Sequence, residues 1–428
     1  MTTEDRSSHD PAFVEAPFLA QGEIASPSAP VFHGAFRWVV LAQGFSALAF
    51  FAYFGTMFAE ATYRFDASTS DLAVLGVALS VPFILGSLLQ GLVVDRWSPK
   101  WMGVIGYSLQ CAAIPVALVA SGLPWLWASG FLVGAAFATI EPSRSALTSL
   151  LVPERDLVRA NGTLATAFQL SLVLGTLGGG WLLHVWNEHA VYLVATGVAL
   201  LPPPCMLAVP DVRQRGERPA VSVRDLRRGA AMAWRHPELR ILAVVTVTGW
   251  FMVNVFFVLE PLFVKDVLGR GGANLLYLWG AHGAGALVGA IVLTRAHRTS
   301  GREAALTCVG VALIGFGIFV YTVVGVYGVA LAANALAGVG FALLFPPLLA
   351  LIQRVMPQEQ RGRVTSVFVA LQESAGLASS LALLVLGGLV VVQPTLVAAG
   401  GLLSAIGLVG LRAVVRVPKE VRRDRTPT

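Results

Sequence analysis

Ionisable side chains inside long apolar runs are the residues of this chain best placed to do chemistry, because a charge in hydrocarbon is costly unless it is paired or hydrated. Glu373 lies well inside the apolar stretch 364–389, beside Gln372. A carboxyl group desolvated at that depth can take up and release a proton near neutral pH; the alternative is a structural carboxyl held by a neighbouring helix. His282, within "WGAHGAG", is a second pH-sensitive candidate or else a packed interhelical hydrogen bond. Glu141 is a third candidate, although Arg144 stands one helical turn away and favours a local ion pair. Glu60 and Glu260 fall at the ends of their apolar runs, where plain solvation of the carboxylate is expected.

The remaining polar and aromatic groups inside apolar runs are Gln43, Phe50, Gln169, Trp250, Asn254, Asn334 and Gln372. Apolar walls with a few polar hooks suit amphipathic organic molecules. Phosphates, sugar phosphates and dicarboxylates need several buried Arg or Lys partners, which the middles of the apolar runs lack. The scarcity of Asn and Gln weighs more weakly against sugars.

Apolar helices must position these residues. The chain has 428 residues, 56% hydrophobic and 13% charged, with a mean hydropathy of +0.73, whereas a soluble domain carries about 25% charged residues. Apolar runs of about 20 residues, each able to cross the bilayer as a helix, recur at 38–60, 72–94, 101–121, 123–146, 160–183, 190–209, 239–263, 274–294, 304–324, 327–352, 364–389 and 393–413. Such runs exclude a β-barrel, whose strands are about 10 residues of alternating polarity. The organisation expected is a disordered tail at 1–33, a six-helix half at 34–209, a linker at 210–238, a second six-helix half at 239–413 and a tail at 414–428. The tail at 1–33 lacks the features of a signal peptide. Cys111, Cys205 and Cys308 have no ligand or redox spacing and read as small apolar residues.

With both termini in the cytoplasm, all of the 30 Lys and Arg residues except Arg64, Lys265 and Arg270 fall on the cytoplasmic side. The positive-inside rule selects that orientation, and it accounts for the net charge of +6 without a nucleic-acid partner. A shift of 204 residues places Gly134 on Gly338, Phe137 on Phe341, Ala138 on Ala342, Pro142 on Pro346, Pro153 on Pro357, Arg159 on Arg363 and Gln169 on Glu373. Parallel duplication of six-helix halves is a transporter architecture with the substrate path between the halves.

Residues 91–100, "GLVVDRWSPK", resemble the loop between helices 2 and 3 of the major facilitator superfamily. Gly91, Asp95, Arg96 and Lys100 match that pattern, while Ser98 and Pro99 depart from it. Residues 141–162, "EPSRSALTSLLVPERDLVRANG", resemble bacterial drug and siderophore exporters of the superfamily. Two family elements are weak. "GTLGGG" at 175–180 carries Thr176 where antiporters often have proline, and "WASGFLVGAAF" lacks the helix-4 Arg of drug–proton antiporters. The resemblance implies an all-α membrane protein of twelve helices in two pseudo-symmetric halves. It also implies a gate in which Asp95, with Gly91 and Arg96 beside it, pins the inner ends of the halves, Arg144 and Arg363 being the candidate partners.

No G-x-x-x-x-G-K-[ST] loop is present, so energy is expected from an ion gradient, with protons as the coupling ion. No cluster of His, Asp or Glu at a membrane face supports an enzyme, and no cofactor is called for. The expectation is a monomeric secondary transporter in the bacterial cytoplasmic membrane. It would export hydrophobic or amphipathic small molecules, with an importer or lipid-moving facilitator as the alternative.

Overall fold

A computed structural model describes residues 34–93, 98–153, 156–212, 223–295 and 301–417. Among the described residues, twelve helices are long and apolar enough to cross a membrane. They are helix 1 (Phe36–Tyr63), helix 2 (Thr69–Val93), helix 3 (Pro99–Leu118), helix 4 (Leu123–Leu151), helix 5 (Leu157–Val185) and helix 6 (Glu188–Leu207) in one half. The other half holds helix 7 (Pro237–Val267), helix 8 (Gly272–Arg295), helix 9 (Glu303–Val324), helix 10 (Tyr327–Val355), helix 11 (Gln358–Leu386) and helix 12 (Val392–Val415). Every expected run is present. Helix surfaces carry outward-facing apolar side chains such as Leu174, Trp181 and Leu389, the last 83% exposed. Such a surface is stable against lipid, where a helix also satisfies all of its own backbone hydrogen bonds.

Prolines and glycines shape the ends and breaks. Prolines open helices 3, 4 and 7 at the first or second position, where the missing N–H is no loss. Helix 9 stops at Gly325, which adopts a left-handed φ of 64°. Pro142 is carried inside an unbroken helix 4, whereas its repeat mate Pro346 lies just after a break at Leu343–Leu344 that divides helix 10. The difference is Pro347: two successive prolines remove two N–H donors and clash with two carbonyls of the preceding turn.

The duplication governs the packing. Helix 1 packs on helices 5 and 6, helix 3 on helices 4 and 6, and helix 2 on helix 4; helices 7 to 12 repeat each of these pairings. A Cβ added to Gly134 would lie 2.3 Å from the Leu79 carbonyl oxygen, and one on Gly338 would lie 1.9 Å from the His282 carbonyl oxygen. Only glycine admits either approach, of helix 4 to helix 2 or of helix 10 to helix 8. The halves join through helix 5 on helix 8 and helix 2 on helix 11, contacts that the same repeat interchanges.

The linker contains a short amphipathic helix, Val223–Arg235. It lies across helices 7 and 11, with Gly229 against the Arg363 carbonyl.

Candidate functional site: the path between the halves

Both ends of the membrane bundle, Phe36 and Val415, lie on one face, here the terminal face, because twelve spans separate them. The helix 1–2 and helix 7–8 connections lie on the other, distal face. Hydrogen bonds join the halves at the distal face. Tyr63 Oη donates to the Arg270 carbonyl at 2.6 Å, Lys265 Nζ donates to the Thr62 carbonyl at 2.9 Å and pairs with Asp66, and Ser70 Oγ donates to the Leu384 carbonyl at 3.3 Å. The Lys265 ammonium holds the exposed Asp66 carboxyl below the usual carboxylate range. Glycines let the helices close here: a Cβ on Gly55 would lie 2.8 Å from Leu276, and one on Gly180 would lie 2.9 Å from Tyr277. Gly175 and Gly179 of "GTLGGG" seat helix 5 against helix 1, while Thr176 returns its hydroxyl to the Leu172 carbonyl at 2.6 Å.

A continuous run of aromatic rings passes through both halves. Phe137 of helix 4 meets Phe50 of helix 1 (4.8 Å between centroids), Phe50 stacks on Phe54 (5.2 Å), and Phe54 stacks on Trp279 of helix 8 (5.3 Å). Trp279 meets Phe257 of helix 7 (5.9 Å), which meets His282 (6.5 Å), and His282 meets Phe341 of helix 10 (5.6 Å). Phe341 then touches Trp250 (6.2 Å) and Phe345 (5.4 Å). The repeat mates Phe137 and Phe341 thus stand in the corresponding places of the two halves. Helix 1, which carries Phe50 and Phe54, is held from behind by buried polar contacts. Ser46 donates to Gln110 Oε1 at 2.6 Å, and the Tyr53 and Ser129 hydroxyls share a hydrogen bond at 2.7 Å.

Glu60 and Glu260 overturn the expectation of solvated carboxylates: they are only 4% and 0% exposed. Short distal connections and close helix packing cover both before they can reach water. Glu60 accepts from Tyr192 Oη at 2.7 Å and from Arg64 at 2.6 Å. Glu260 accepts from Trp279 Nε1 at 2.7 Å and from Asn334 Nδ2 at 3.0 Å. The Tyr321 hydroxyl faces the same carboxylate but completes no hydrogen bond of normal geometry. A signal for this pair was available in "FAEATY" at 58–63 and "VLEPLF" at 258–263, where the shift is 200 residues rather than 204. Phe54, Phe257 and Trp279 carried no comparable signal, since an aromatic in an apolar run reads as packing.

The other candidates fall as follows. Glu373 is half-buried and has no hydrogen-bond partner among the described residues, and its neighbour Gln372 is buried with Nε2 unpartnered. Gln169 is half-buried on helix 5. Helices 5 and 11 do not pack on each other as facing neighbours; helix 5 packs on helices 1 and 8, helix 11 on helices 2 and 7. Glu141 and Arg144 form an ion pair. Asn254 spends its amide on helix 11, donating to the Gly376 carbonyl and to Ser379 Oγ at 2.8 Å. Asn334 joins Glu260 to the vicinity of His282. Gln43 is buried and Phe50 half-buried, seven residues apart and so on one face of helix 1. Gly91 lies in the last turn of helix 2, Arg363 near the start of helix 11, and Asp95 and Arg96 lie outside the described residues.

The model of the Major Facilitator Superfamily matches residues 39–380. The chain is similar to the uncharacterized MFS-type transporter YfiS of Bacillus subtilis (strain 168), at 22% identity over 87% of this chain and 91% of that protein. It is 24% identical to the multidrug efflux pump Tap of Mycolicibacterium fortuitum, over 73% of this chain and 79% of that one. Its fold matches the crystal structure of a point mutant of the nucleoside transporter NupG with a TM-score of 0.72 at 10% identity, covering 89% of this chain and all of that one (100%).

Proposed function

Because the chain belongs to the Major Facilitator Superfamily, whose members are membrane transporters and not enzymes, we propose that it exports hydrophobic or amphipathic small molecules by alternating access, driven by a proton gradient. The observation that carries this reading is the aromatic run from Phe137 through Phe54 and Trp279 to Phe345. Rings from both halves offer a deformable apolar wall that can hold flat or greasy molecules without strict hydrogen-bond geometry. The named activity of Tap, a multidrug efflux pump, supports the direction.

In this reading the termini are cytoplasmic, as the Arg distribution favours. The distal face is then the outer one, and the contacts Tyr63–Arg270 and Lys265–Asp66 close it. Substrate enters from the terminal face between the halves and leaves after they rock about the helix 5–8 and 2–11 contacts. Asp95 remakes a charge-assisted contact at the terminal face when the distal face opens. Glu373 is the cavity carboxyl that exchanges protons, since Glu141 is committed to Arg144 while Glu373 lacks a hydrogen-bond partner among the described residues.

Proteoliposomes with an imposed pH gradient test the proposal, with ethidium and an uncharged amphipathic dye as probes. The wild type should move dye against its gradient. Glu373→Gln should lose that accumulation while still exchanging dye down a gradient. Absence of gradient-driven movement by the wild type overturns the export reading, and retained coupling in Glu373→Gln removes that residue from the role.

A further inference from the structure

Trp279 has partners in both halves of the molecule. Its indole nitrogen donates to Oε2 of Glu260 on helix 7, at 2.7 Å. Its ring stacks on Phe54 of helix 1 at 5.3 Å, with Phe58 edge-on at 6.2 Å. The other oxygen of Glu260, Oε1, accepts from Asn334 at 3.0 Å, and Asn334 lies next to His282. Both oxygens of a fully buried carboxylate are therefore taken up by neutral N–H donors. Glu60, at the corresponding place in the first half, is instead paired with Arg64 at 2.6 Å. The duplicated position has kept the acid without the cation, so the charge of Glu260 can change without breaking an ion pair.

We propose that Glu260 and Trp279 form the device that ties arrival of a proton to opening of the distal face. The inference rests on the reading of the chain as a proton-driven alternating-access transporter, but not on the role given to Glu373. The proton is delivered by a hydronium ion, whose O–H bond breaks to leave water, and forms an O–H bond with one carboxylate oxygen, which neutralises the group; within the protein only hydrogen bonds are broken. A proton on Oε1 is accommodated if Asn334 turns its amide to accept it, since an amide both donates and accepts. Indole only donates, so a proton on Oε2 must turn away from the Trp279 N–H, which keeps at most a weakened bond to the remaining acceptor capacity of that oxygen. In either case the indole exchanges a charge-assisted bond for one roughly half as strong or for none. The anchor that holds the ring against Phe54 and Phe58 is thereby weakened, and with it an aromatic contact between the halves.

The titratable groups around Glu260 are Tyr321 on helix 9, Tyr327 at the start of helix 10 and, beyond Asn334, His282 on helix 8. Helices 1, 2, 11 and 12, which also pack on helix 7, direct no charged group at it among the described residues.

The test uses the full chain in lipid nanodiscs, with spin labels on the helix 1–2 and helix 7–8 connections and distance distributions recorded at roughly pH 5 and pH 8. Acidification should raise the distal-open to distal-closed ratio of the wild type by about two- to tenfold, the worth of one aromatic pair. Glu260→Gln, which presents a neutral amide to the same donors, should give the acid-like distribution at both pH values. Trp279→Phe, which keeps a ring but no donor, should be equally insensitive. His282→Gln, which removes the other ionisable ring near Asn334, should respond like the wild type. A pH response that persists in Glu260→Gln, that is lost in His282→Gln, or that is absent from the wild type overturns the assignment. A normal distance response in a protein that moves no dye in proteoliposomes sinks the export reading and leaves the Glu260 assignment standing.

Discussion

Replacing Gly280 by alanine adds a methyl group where helix 8 meets helix 5 of the other half. Its Cβ would lie 2.4 Å from Leu177 Cδ2, 2.7 Å from Cγ and 3.3 Å from Thr176 Oγ1. Relief takes about 1 Å of movement, either between the helices or by Leu177. Overpacking of this kind costs about 1–3 kcal/mol. Leu177 is 40% exposed and can rotate partly away, which places the penalty near the lower end, about 1 kcal/mol. Gly280 stands in the distal half of helix 8, which alternating access draws away from Leu177 on distal opening, so the penalty should appear as a roughly fivefold rise in the distal-open to distal-closed ratio. Gly338→Ala is the control. Its Cβ would lie 1.9 Å from the His282 carbonyl and 2.8 Å from the Ala286 nitrogen, both backbone atoms of the same half. That clash belongs to every state of the transport cycle and should lower thermal stability without moving the ratio. Interhalf distance distributions and thermal unfolding in nanodiscs read the two quantities separately. An unchanged ratio in well-folded Gly280→Ala, or an equal shift in Gly338→Ala, would refute the reasoning.

Other outcomes are expected from the gates and the topology. Asp66→Asn should favour the distal-open state by removing the pair with Lys265. Because Asp66 has a lowered folded-state pKa, its contribution is present above the ordinary carboxylate pKa and is lost as pH falls through the lowered one. Wild type and Asp66→Asn should therefore run parallel between roughly pH 5 and 8 and converge only in more acid solution; a gap that changes within that window would contradict the sign. Asp95→Asn should fold and insert normally but transport more slowly, since one conformational state loses a charge-assisted contact. Full transport at normal expression would remove Asp95 from the gate. A cysteine introduced as Arg218→Cys should resist a membrane-impermeant maleimide added outside intact cells, and ready labelling would invert the assigned orientation.

The twelve spans, their length and the duplication were legible in the sequence because lipid leaves the backbone no choice. A segment crossing hydrocarbon must satisfy every N–H and C=O internally and present apolar side chains outward, so each span announces itself by composition alone. Gly134 and Gly338 were legible for the same reason: a close helix approach tolerates no Cβ, and both halves need the same approach. The fate of the carboxylates was not. Glu60 and Glu260 stand at similar places near the ends of apolar runs, and a one-dimensional reading measures depth along the helix rather than the cover that other helices provide. Only the packing of helices 8 and 10 over helix 7 brings Trp279 and Asn334 onto Glu260, while the first half puts Arg64 and Tyr192 on Glu60. The aromatic path is likewise a product of tertiary structure. Its rings come from helices 1, 4, 7, 8 and 10, and apolar residues in membrane segments look alike in sequence whether they face lipid, a neighbouring helix or the space between the halves.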